Sequence, residues 1–277
     1  TCHEFLTRAM TLDLSNARFA FLDLETTGLS PWFGDRICEV GIVLTVGKRI
    51  KATYQQLVNP ERPLSPAAAS TNGLSDVDLQ DAPTFAEIAP DVEARLRGAV
   101  IVCHNARFDL QFLDSEFRRL GAEIQAPNLI DTLLVSREHF DLPSYTLASV
   151  SEYFKIQNPD AHRALADALT AKGIFFAMMD SLKRKGKSLD DFIGLYNSPA
   201  WPNDGIQLPT ALGEAIYGGR RLSLTYIDKG GKRTTRLVTP IQVMGLADYI
   251  YLRAFCHLRK SERTFRLDRI VEISLES

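Results

Sequence analysis

Apolar residues recur with two different periods along the first two thirds of the chain, and these periods predict strands and helices. Strand-like runs come first, at Phe19–Leu24, Ile37–Val46 and Ile50–Val58, with the second run interrupted by Gly41. A tight turn at Gly47-Lys-Arg is predicted between the last two. The three strands therefore form a meander.

Later apolar residues fall at spacings of three and four, which predicts helices, with short apolar strands between them. The helices are predicted at 83–96, 106–120, 132–139, 147–154 and 161–185, and the strands at 99–103 and 128–131. The segment 59–81, rich in Pro, Ser, Asn and Asp, is predicted to be a loop with at most short helical pieces. A meander followed by alternating strands and helices predicts the α/β class, a mixed sheet with helices on both faces.

The last third of the chain has a different pattern. Turn residues dominate 197–206, which predicts a linker between domains at 1–196 and 207–277. Beyond it a small helix is predicted at 208–217, and short strands at 221–227, 234–238, 250–256 and 270–275, with a hairpin turn at 229–232. Several short strands in so short a segment predict a small β-barrel.

Charge divides the chain at the same place. Residues 207–277 carry 12 Lys and Arg against 7 Asp and Glu, a formal +5, whereas residues 1–206 carry 20 against 27, a formal −7. This asymmetry suggests two domains with different electrostatic roles. The basic run at 183–187 is interpreted as a solvated helix end.

The composition is that of an ordinary globular protein, with 45% hydrophobic and 24% charged residues. No apolar run is long enough to cross a membrane, and the N-terminus lacks the pattern of a signal peptide. The four cysteines are scattered, and Cys38 and Cys103 lie in apolar runs, which favours buried, reduced thiols. We therefore expect a cytoplasmic location without membrane partners.

Two carboxylates lie at the end of the first strand. Asp23 and Glu25 are two residues apart and so leave the same face of the strand, before a turn at Thr26-Thr-Gly28. Adjacent like charges are costly unless a divalent cation neutralises them. A solvated strand end explains these two acids about as well as a metal site does. Residues further along the chain must decide between the two interpretations.

Further acids follow at positions where an α/β sheet presents its ligand-binding edge. Asp109 falls in the first turn of a helix that follows a strand, and Asp167 near the start of the longest helix. On one helix, His162 and Asp167 would lie about 140° apart, so they share a site only if His162 precedes the regular helix. Helix-start acids and surface histidines are the ordinary alternatives.

Together these residues resemble the DEDDh (DnaQ-like) exonucleases of the ribonuclease H-like superfamily, over about residues 17–182. Three segments in order carry the resemblance: Phe-Leu-Asp23-Leu-Glu25-Thr-Thr-Gly-Leu-Ser, His104-Asn105-Ala-Arg-Phe108-Asp109 and Ala161-His162-Arg-Ala-Leu-Ala-Asp167-Ala. Ile130-Asp131-Thr132 and Tyr145-Thr-Leu147 are also similar to family segments. The resemblance implies a mixed five-stranded sheet with flanking helices.

The resemblance also implies a two-metal phosphodiester hydrolase. Its metal ligands, to two Mg²⁺ or Mn²⁺ ions, are Asp23, Glu25, Asp109 and Asp167. His162 would be the general base. Substrate contacts are implied at Thr26, Gly28, Leu29, His104, Asn105 and Phe108, although Phe108 is equally suited to the core.

Residues 207–277 resemble a WYL domain, a small SH3-like (Sm-like) β-barrel of many bacterial regulators. Tyr251 and Leu252 match the signature, whose tryptophan is Ile250 here. Nucleic-acid contacts are implied at Tyr226, Tyr251, Arg253, Arg259, Arg263 and Arg266. In the alternative interpretation these arginines pair with Asp248, Glu262 and Asp268 on the surface, Arg269 with Asp268 first of all.

The sequence therefore predicts a 3′→5′ exonuclease that releases nucleoside monophosphates from nucleic acid, with a basic domain for capture or regulation. DNA with single-stranded ends is the first expectation for the substrate, and RNA is the alternative. A regulator that binds nucleic acid through the C-terminal barrel, with a silent α/β domain, is a hypothesis of another class, and self-association through the barrel is a third.

Overall fold

A mixed five-stranded sheet forms the centre of the N-terminal domain. The structure is a computed structural model that describes residues 13–31, 34–124, 126, 128–196, 210–246 and 249–276. The strands are β1 (Arg18–Thr26), β2 (Ile37–Val46), β3 (Arg49–Leu57), β4 (Val100–Cys103) and β5 (Leu129–Asp131). Their order is β3-β2-β1-β4-β5, antiparallel in the meander and parallel from β1 to β5. The predicted α/β class and mixed sheet are confirmed.

Helices cover both faces of this sheet. They are α1 (Pro66–Asn72), α2 (Asp76–Leu79), α3 (Phe85–Leu96), α4 (Ala106–Arg119), α5 (Thr132–His139), α6 (Leu147–Tyr153) and α7 (Ala164–Lys183). One buried cluster joins the sheet to α3 and α4, and a second joins it to α5, α6 and α7. The predicted helix at 161–185 begins only at Ala164, so His162 precedes the regular helix.

Strand β1 shows how the sequence assigns its two faces. Ala20, Leu22 and Leu24 belong to the cluster under α3 and α4. Phe19 and Phe21 point the other way and pack against two phenylalanines of α7, with ring centroids 5.1 to 5.8 Å apart. Side chains alternate along a strand, so Asp23 and Glu25 share the face of Phe19 and Phe21. Both acids therefore lie on the side of the sheet that carries α7.

Gly41 does not interrupt β2, contrary to the prediction. It pairs with Asp23 on one side and Gln55 on the other, within a strand that continues past it. A Cβ atom at Gly41 would lie 2.2 Å from the backbone carbonyl carbon of Ala164. The glycine is there because the start of α7 crosses the sheet at this point, and only a residue without a side chain leaves room for it.

The C-terminal residues form a helix and a second five-stranded sheet. The elements are α8 (Thr210–Gly218), β6 (Leu222–Ile227), β7 (Arg233–Leu246), β8 (Tyr249–Cys256), β9 (Ser261–Arg266) and β10 (Ile270–Leu275). Sequence analysis predicted β7 too short, because Pro240 and Gly245 suggest a break, and missed the polar strand β9. A register shift between Pro240 and Gln242 lets β7 continue past the proline.

The order of this sheet is β10-β6-β7-β8-β9, and the described residues contain no ladder that closes it into a barrel. Its two edge strands are nevertheless joined by a single turn at Leu267–Arg269. Four Cα steps reach about 15 Å at most, whereas a flat five-stranded sheet is about 19 Å wide. The sheet must therefore be rolled, which fits the predicted barrel-like shape.

Other sequence-based expectations have mixed outcomes. Cys38 and Cys103 are buried and free, as predicted, and Cys256 is buried and free as well. Burial raises the pKa of the Cys103 thiol. The predicted linker at 197–206 lies outside the described residues, so the domain boundaries stay a prediction. Among the helices that the structure describes, none combines the length and apolar character that crossing a bilayer requires.

The close approach at Gly41 makes a testable prediction. Gly41→Ala places a methyl group against the backbone of Ala164, so we expect it to lower the free energy of unfolding by about 1–3 kcal/mol in urea denaturation. Gly194→Ala is the matched control, since a Cβ atom there would have its nearest neighbouring atom 3.9 Å away. Equal stability of the two variants would contradict the account of the crossing.

Candidate active site

Three of the four predicted acidic ligands meet at one end of β1. One carboxylate oxygen from each of Asp23, Glu25 and Asp167 lies within 4.8 Å of the others. Asp167 reaches the two strand acids from the first turn of α7, because the helix crosses the sheet at Gly41, the residue paired with Asp23. This is the only such cluster of acids, histidines and cysteines among the described residues.

Asp109 approaches the same strand from α4, on the other side of the sheet. Its Oδ1 accepts a hydrogen bond from the backbone N–H of Leu24 at 3.1 Å, and the side chain is buried. It lies outside the group of three carboxylates within 4.8 Å, but its charge acts on Asp23. The structure thus brings all four predicted acids to one strand end, three of them in direct proximity.

The electrostatics of this cluster favour a cation. Burial, followed by the charges of Asp109 and Asp167, raises the pKa of Asp23 well above its ordinary value. Burial and the charges of Asp167 and Glu39 raise the pKa of Glu25 to about 8, opposed by Arg163. Carboxylate oxygens are the donors that Mg²⁺ and Mn²⁺ prefer, and they bind these cations when ionised. The donor set therefore fits a divalent cation.

His162 lies on the segment that leads into α7. It has a left-handed backbone, with φ of 65°, and its N–H donates to Oδ2 of Asp167 at 3.1 Å. Oδ1 of the same carboxylate accepts from the side chain of Asn158 at 2.6 Å. His162 is exposed and lines a cavity of about 550 Å³ together with Asp23 and Asp167. The histidine and the acids therefore face one space, as the prediction required.

A second cavity, of about 300 Å³, opens on the Glu25 side of the cluster. Four of the predicted substrate residues line it: Thr26, Gly28, Leu29 and Phe108. Leu29 is 52% exposed, unusual for a leucine beside a strand end. Phe108 contacts the ring of Phe112 at 5.0 Å and packs at the margin of the core, so it belongs to both the core and the cavity.

The turn that shapes this cavity is held by a buried carboxylate. Asp35 accepts hydrogen bonds from the Thr27 hydroxyl and the Ser30 N–H, and it forms an ion pair with Arg62. A Cβ atom on Gly28 would lie 2.5 Å from Asp35, so the glycine allows this close approach. Asp35 thereby holds the turn that presents Leu29.

His104 and Asn105 line the larger cavity instead. Both ring nitrogens of His104 are engaged within the protein, Nδ1 with the Thr132 hydroxyl at 3.0 Å and Nε2 with the carbonyl of Tyr145 at 2.9 Å. Burial lowers the pKa of His104, so its neutral ring ties the end of β4 to the Tyr145 segment. The remaining contribution of His104 to the cavity is the face of its ring.

Sequence analysis missed several residues of this cavity. Arg137, Ser144 and Thr146 line it together with Asp23 and Asp167, and they bring a guanidinium and two hydroxyls to the cavity. Arg137 is exposed, and its guanidinium lies 6.0 Å from the centre of the Tyr145 ring. The sequence did show a basic residue on the helix now called α5 and a family-like segment that begins at Tyr145. Only the fold shows that these residues lie near Asp23.

The predicted nucleic-acid residues of the C-terminal sheet are divided between its two faces. Leu252 and Ala254 of β8 face the core, so Tyr251 and Arg253 face outward, and Arg266 of β9 lies opposite Tyr251. Arg263 lies opposite Ala254, on the other face. The remaining predicted residues are Arg259, in the turn after β8, and Tyr226, whose ring packs against Phe265 at 5.3 Å.

Ion pairs engage part of this basic set. Arg266 makes two hydrogen bonds to Asp268 and stacks on Tyr249 at 3.5 Å, so the expected pairing of Asp268 with Arg269 is wrong. The reason is the turn at Leu267–Arg269, which leaves Asp268 beside the residue that precedes the turn. Arg253 lies 3.9 Å from Glu262, as expected, and Asp248 is outside the described residues.

Comparison with known families agrees with this geometry. The RNase T family model, described as Exonuclease, matches residues 20–175, more than half of the chain. The chain belongs to this exonuclease family. A WYL domain model matches residues 207–275. The family match covers the acidic cluster, and the chain accordingly carries a DnaQ-like 3′→5′ exonuclease domain followed by a WYL domain.

Curated relatives of this exonuclease include DNA polymerase III proteins. The PolC-type DNA polymerase III of Caldanaerobacter subterraneus subsp. tengcongensis is 36% identical over 169 residues, which is 61% of this chain but only 12% of that polymerase. The DNA polymerase III subunit epsilon of Rickettsia typhi is 33% identical over 184 residues, covering 64% of this chain and 80% of the subunit. The similarity to PolC is thus confined to a small part of that protein.

Solved structures support the fold of the exonuclease domain. Exonuclease X in complex with 5′ overhanging duplex DNA has a TM-score of 0.50 at 24% identity, covering 63% of this chain and 96% of that one. The nuclease domain of 3′hExo, a DEDDh family member bound to rAMP, has a TM-score of 0.54 at 20% identity, and the match covers 61% of this chain and 95% of that one.

The crowded carboxylates of the exonuclease predict a pH-dependent response to metal. The pKa of Glu25 is about 8 in the fold against an ordinary 4.5, so its protonated form stabilises the metal-free fold at low pH. That contribution is lost as the pH rises from the unfolded to the folded pKa. We therefore expect Mn²⁺ to raise the Tm more at pH 8 than at pH 5, measured by differential scanning fluorimetry.

Glu25→Gln removes one charge from the cluster, so we expect a higher Tm at pH 8 without metal and a smaller increase with Mn²⁺. Asp180→Asn, on the exposed part of α7 where Asp180 pairs with Lys48, is the matched control. Equal increases with Mn²⁺ at the two pH values in the wild type would contradict the electrostatic account.

Proposed function

We propose that this protein is a metal-dependent 3′→5′ exonuclease that removes nucleoside monophosphates from DNA, with a preference for single-stranded 3′ ends. The observation that carries the proposal is the cluster of Asp23, Glu25 and Asp167, which lies between two cavities. A chain end crossing from one cavity to the other would place a phosphodiester bond at the acids.

The residues around the cluster have distinct roles in this reaction. Two Mg²⁺ or Mn²⁺ ions held by Asp23, Glu25, Asp109 and Asp167 would supply Lewis acidity at the scissile phosphate and lower the pKa of the attacking water. His162, exposed to the same cavity, accepts a proton from that water. The N–H of His162 also holds Asp167, which couples the base to a metal ligand.

The two cavities suit successive nucleotides. The smaller one, of about 300 Å³, is apolar at Leu29 and Phe108 and accepts the terminal nucleotide, with the base against these side chains. The larger one holds the next nucleotide, where Arg137 and the hydroxyls of Ser144 and Thr146 contact its backbone. Both cavities are open clefts, and a terminus enters them most easily when it is unpaired.

DNA is the proposed substrate because two of the most similar relatives are DNA polymerase III proteins. RNA is the alternative, since the solved nuclease domain of 3′hExo was bound to rAMP. The distinction depends on a contact to the 2′-hydroxyl, which Thr26 beside the smaller cavity is placed to make. The Thr26 hydroxyl donates to the carbonyl of Gly28 at 2.6 Å.

We assign nucleic-acid capture to the outward face of β8 in the WYL domain. Tyr249, Tyr251, Arg253 and Phe255 alternate along this face, and Tyr249 and Phe255 are 42% and 37% exposed. Aromatic rings interleaved with arginines form a surface on which unpaired bases stack. Because Tyr226 packs into the core and Arg263 lies on the opposite face, this face is the one we propose for binding.

A silent scaffold that only positions a regulatory WYL domain is the competing function. A scaffold gains nothing from half-buried carboxylates whose pKa values are raised by burial and by mutual repulsion, as for Asp23 and Glu25. The complete acidic set therefore favours the enzyme. Cytoplasmic location and bacterial origin stay predictions from the sequence.

The proposed reaction predicts a specific pattern of variants. With oligonucleotides labelled at the 5′ end and Mg²⁺ or Mn²⁺, the wild type produces a ladder that shortens from the 3′ end. Asp167→Asn and His162→Ala each lower kcat by about 100-fold or more, because one removes a ligand and the other the base. Gel analysis of matched DNA and RNA strands measures the sugar preference.

Asp180→Asn provides the control for the ladder assay, since it makes the same chemical change on the same helix at a surface ion pair. It should retain full activity, and EDTA should abolish all activity. If neither DNA nor RNA is shortened with any metal, the proposed function is wrong and the regulatory scaffold is favoured.

The WYL face predicts salt-sensitive binding. Arg253→Gln should lower the magnitude of the slope of log K against log salt by about one and weaken binding of single-stranded DNA. Arg233→Gln makes the same charge change at an exposed pair with Glu272 and should have little effect. Fluorescence anisotropy measures the affinity and its salt dependence for both variants, each made in the catalytically inactive Asp167→Asn protein. Identical slopes for the two variants would contradict this assignment.

A further inference from the structure

A buried carboxylate beside the acidic cluster is used by neither the metal ligands nor the substrate cavities. Glu39 of β2 pairs directly with Glu25 in the sheet and has no exposed surface. Both of its oxygens are engaged by hydrogen bonds: from the Gln55 side chain at 2.7 Å, from Arg163 at 2.8 and 3.1 Å, and from the N–H of Ala164 at 3.2 Å. With no oxygen left for a cation, Glu39 has another role.

The contacts of Glu39 converge on the start of α7. The Ala164 N–H is one of the donors that a helix leaves unpaired at its first turn, and Glu39 accepts from it on the face of the sheet that carries α7. The guanidinium of Arg163, the residue before the helix, is held by two hydrogen bonds. Burial raises the pKa of Glu39, but the hydrogen bonds of Arg163 and Gln55 outweigh it and lower the pKa, so Glu39 is an anion.

This arrangement bears directly on His162. The His162 side chain is exposed, so little packing sets its direction, and its backbone is left-handed, a conformation that costs energy in a residue with a side chain. Two anchors hold that conformation: its own N–H bonds to Asp167, and the next residue, Arg163, bonds to Glu39. Without the second anchor, only the hydrogen bond to Asp167 holds the backbone of His162 in the left-handed region.

We propose that Glu39 and Arg163 act as one positioning unit that fixes the direction of His162 and the start of α7. The inference rests on the proposed function, in which His162 accepts a proton from water. Neither Glu39 nor Arg163 contacts the substrate in this proposal. Their effect on the reaction passes through His162 and should appear in kcat rather than in KM.

A second buried ion pair in the same domain provides a control that distinguishes positioning of His162 from simple stabilisation of the fold. Glu116 accepts hydrogen bonds from Arg36 at 2.7 and 2.8 Å and from the N–H of Ile37 at 3.3 Å, and it is buried like Glu39. Like Glu39, it is a carboxylate that accepts from both sides of an arginine guanidinium and from a backbone N–H. Its partners are bonded to the turn at Thr27 instead of the start of α7: the N–H of Arg36 donates to the Thr27 hydroxyl at 3.0 Å. Glu116→Gln is therefore the matched control for Glu39→Gln.

The decisive variant is Arg163→Lys, because the Arg163 side chain is 40% exposed and its replacement is compatible with folding. We expect kcat to fall about 10-fold or more, with KM and the Kd for Mn²⁺ within about twofold of the wild type. Glu39→Gln should lower kcat by a similar factor, but it also removes a charge that acts on Glu25, so its Kd for Mn²⁺ is not part of the comparison. The double variant should lose no more kcat than the worse single variant, since the two residues act as a unit. Glu116→Gln should lower the Tm comparably while kcat stays within about twofold.

Nuclear magnetic resonance of the His162 ring gives a readout independent of activity. In the wild type we expect one sharp set of ring resonances, which Arg163→Lys shifts or broadens and Glu116→Gln leaves unchanged. An inactive wild type would contradict the proposed function, and the ring resonances would still test the positioning unit. If Arg163→Lys behaves like Glu116→Gln in kcat and in the ring resonances, the positioning proposal is wrong.

Discussion

Repulsion among crowded carboxylates is the constraint on which the rest of this structure depends. Asp23, Glu25 and Asp167 are brought within 4.8 Å of one another, and Asp109 adds its charge from the other side of the sheet. Such a cluster opposes folding unless it is protonated or neutralised by a cation. Several features of the domain hold it together: the bare backbone at Gly41, the aromatic packing of β1 on α7 and the ion pair at the helix start.

The position at which α7 crosses β2 also determines the geometry of the candidate active site. It delivers Asp167 to the strand acids and places His162 at the edge of the larger cavity, while the turn held by Asp35 shapes the smaller one. A polymer whose end lies in both cavities has one bond at the acids, which is the requirement of an exonuclease. In the proposed function, the aromatic and basic face of β8 captures an unpaired strand.

Much of this could be predicted from the sequence, because the acids follow strand ends and helix starts whose periods are clear, and because three ordered segments resemble those of the DEDDh exonucleases. The residues that the structure adds are those whose importance depends on distant partners. From the sequence, Gly41 was interpreted as a break in β2, whereas in the structure its lack of a side chain leaves room for the start of α7. Glu39 lies among apolar residues of β2, and only the fold shows that Arg163, 124 positions later, neutralises it. In the C-terminal domain, Asp268 pairs with Arg266 because of a three-residue turn that sequence proximity does not reveal.

The most direct test of the central claim is anomalous diffraction from crystals soaked with Mn²⁺ and a nucleoside 5′-monophosphate. The account predicts manganese peaks among the carboxylates of Asp23, Glu25, Asp109 and Asp167, with the phosphate of the nucleotide against them and its base beside Leu29 and Phe108. Absence of manganese from these carboxylates at saturating concentration, or a nucleotide bound elsewhere, would contradict it.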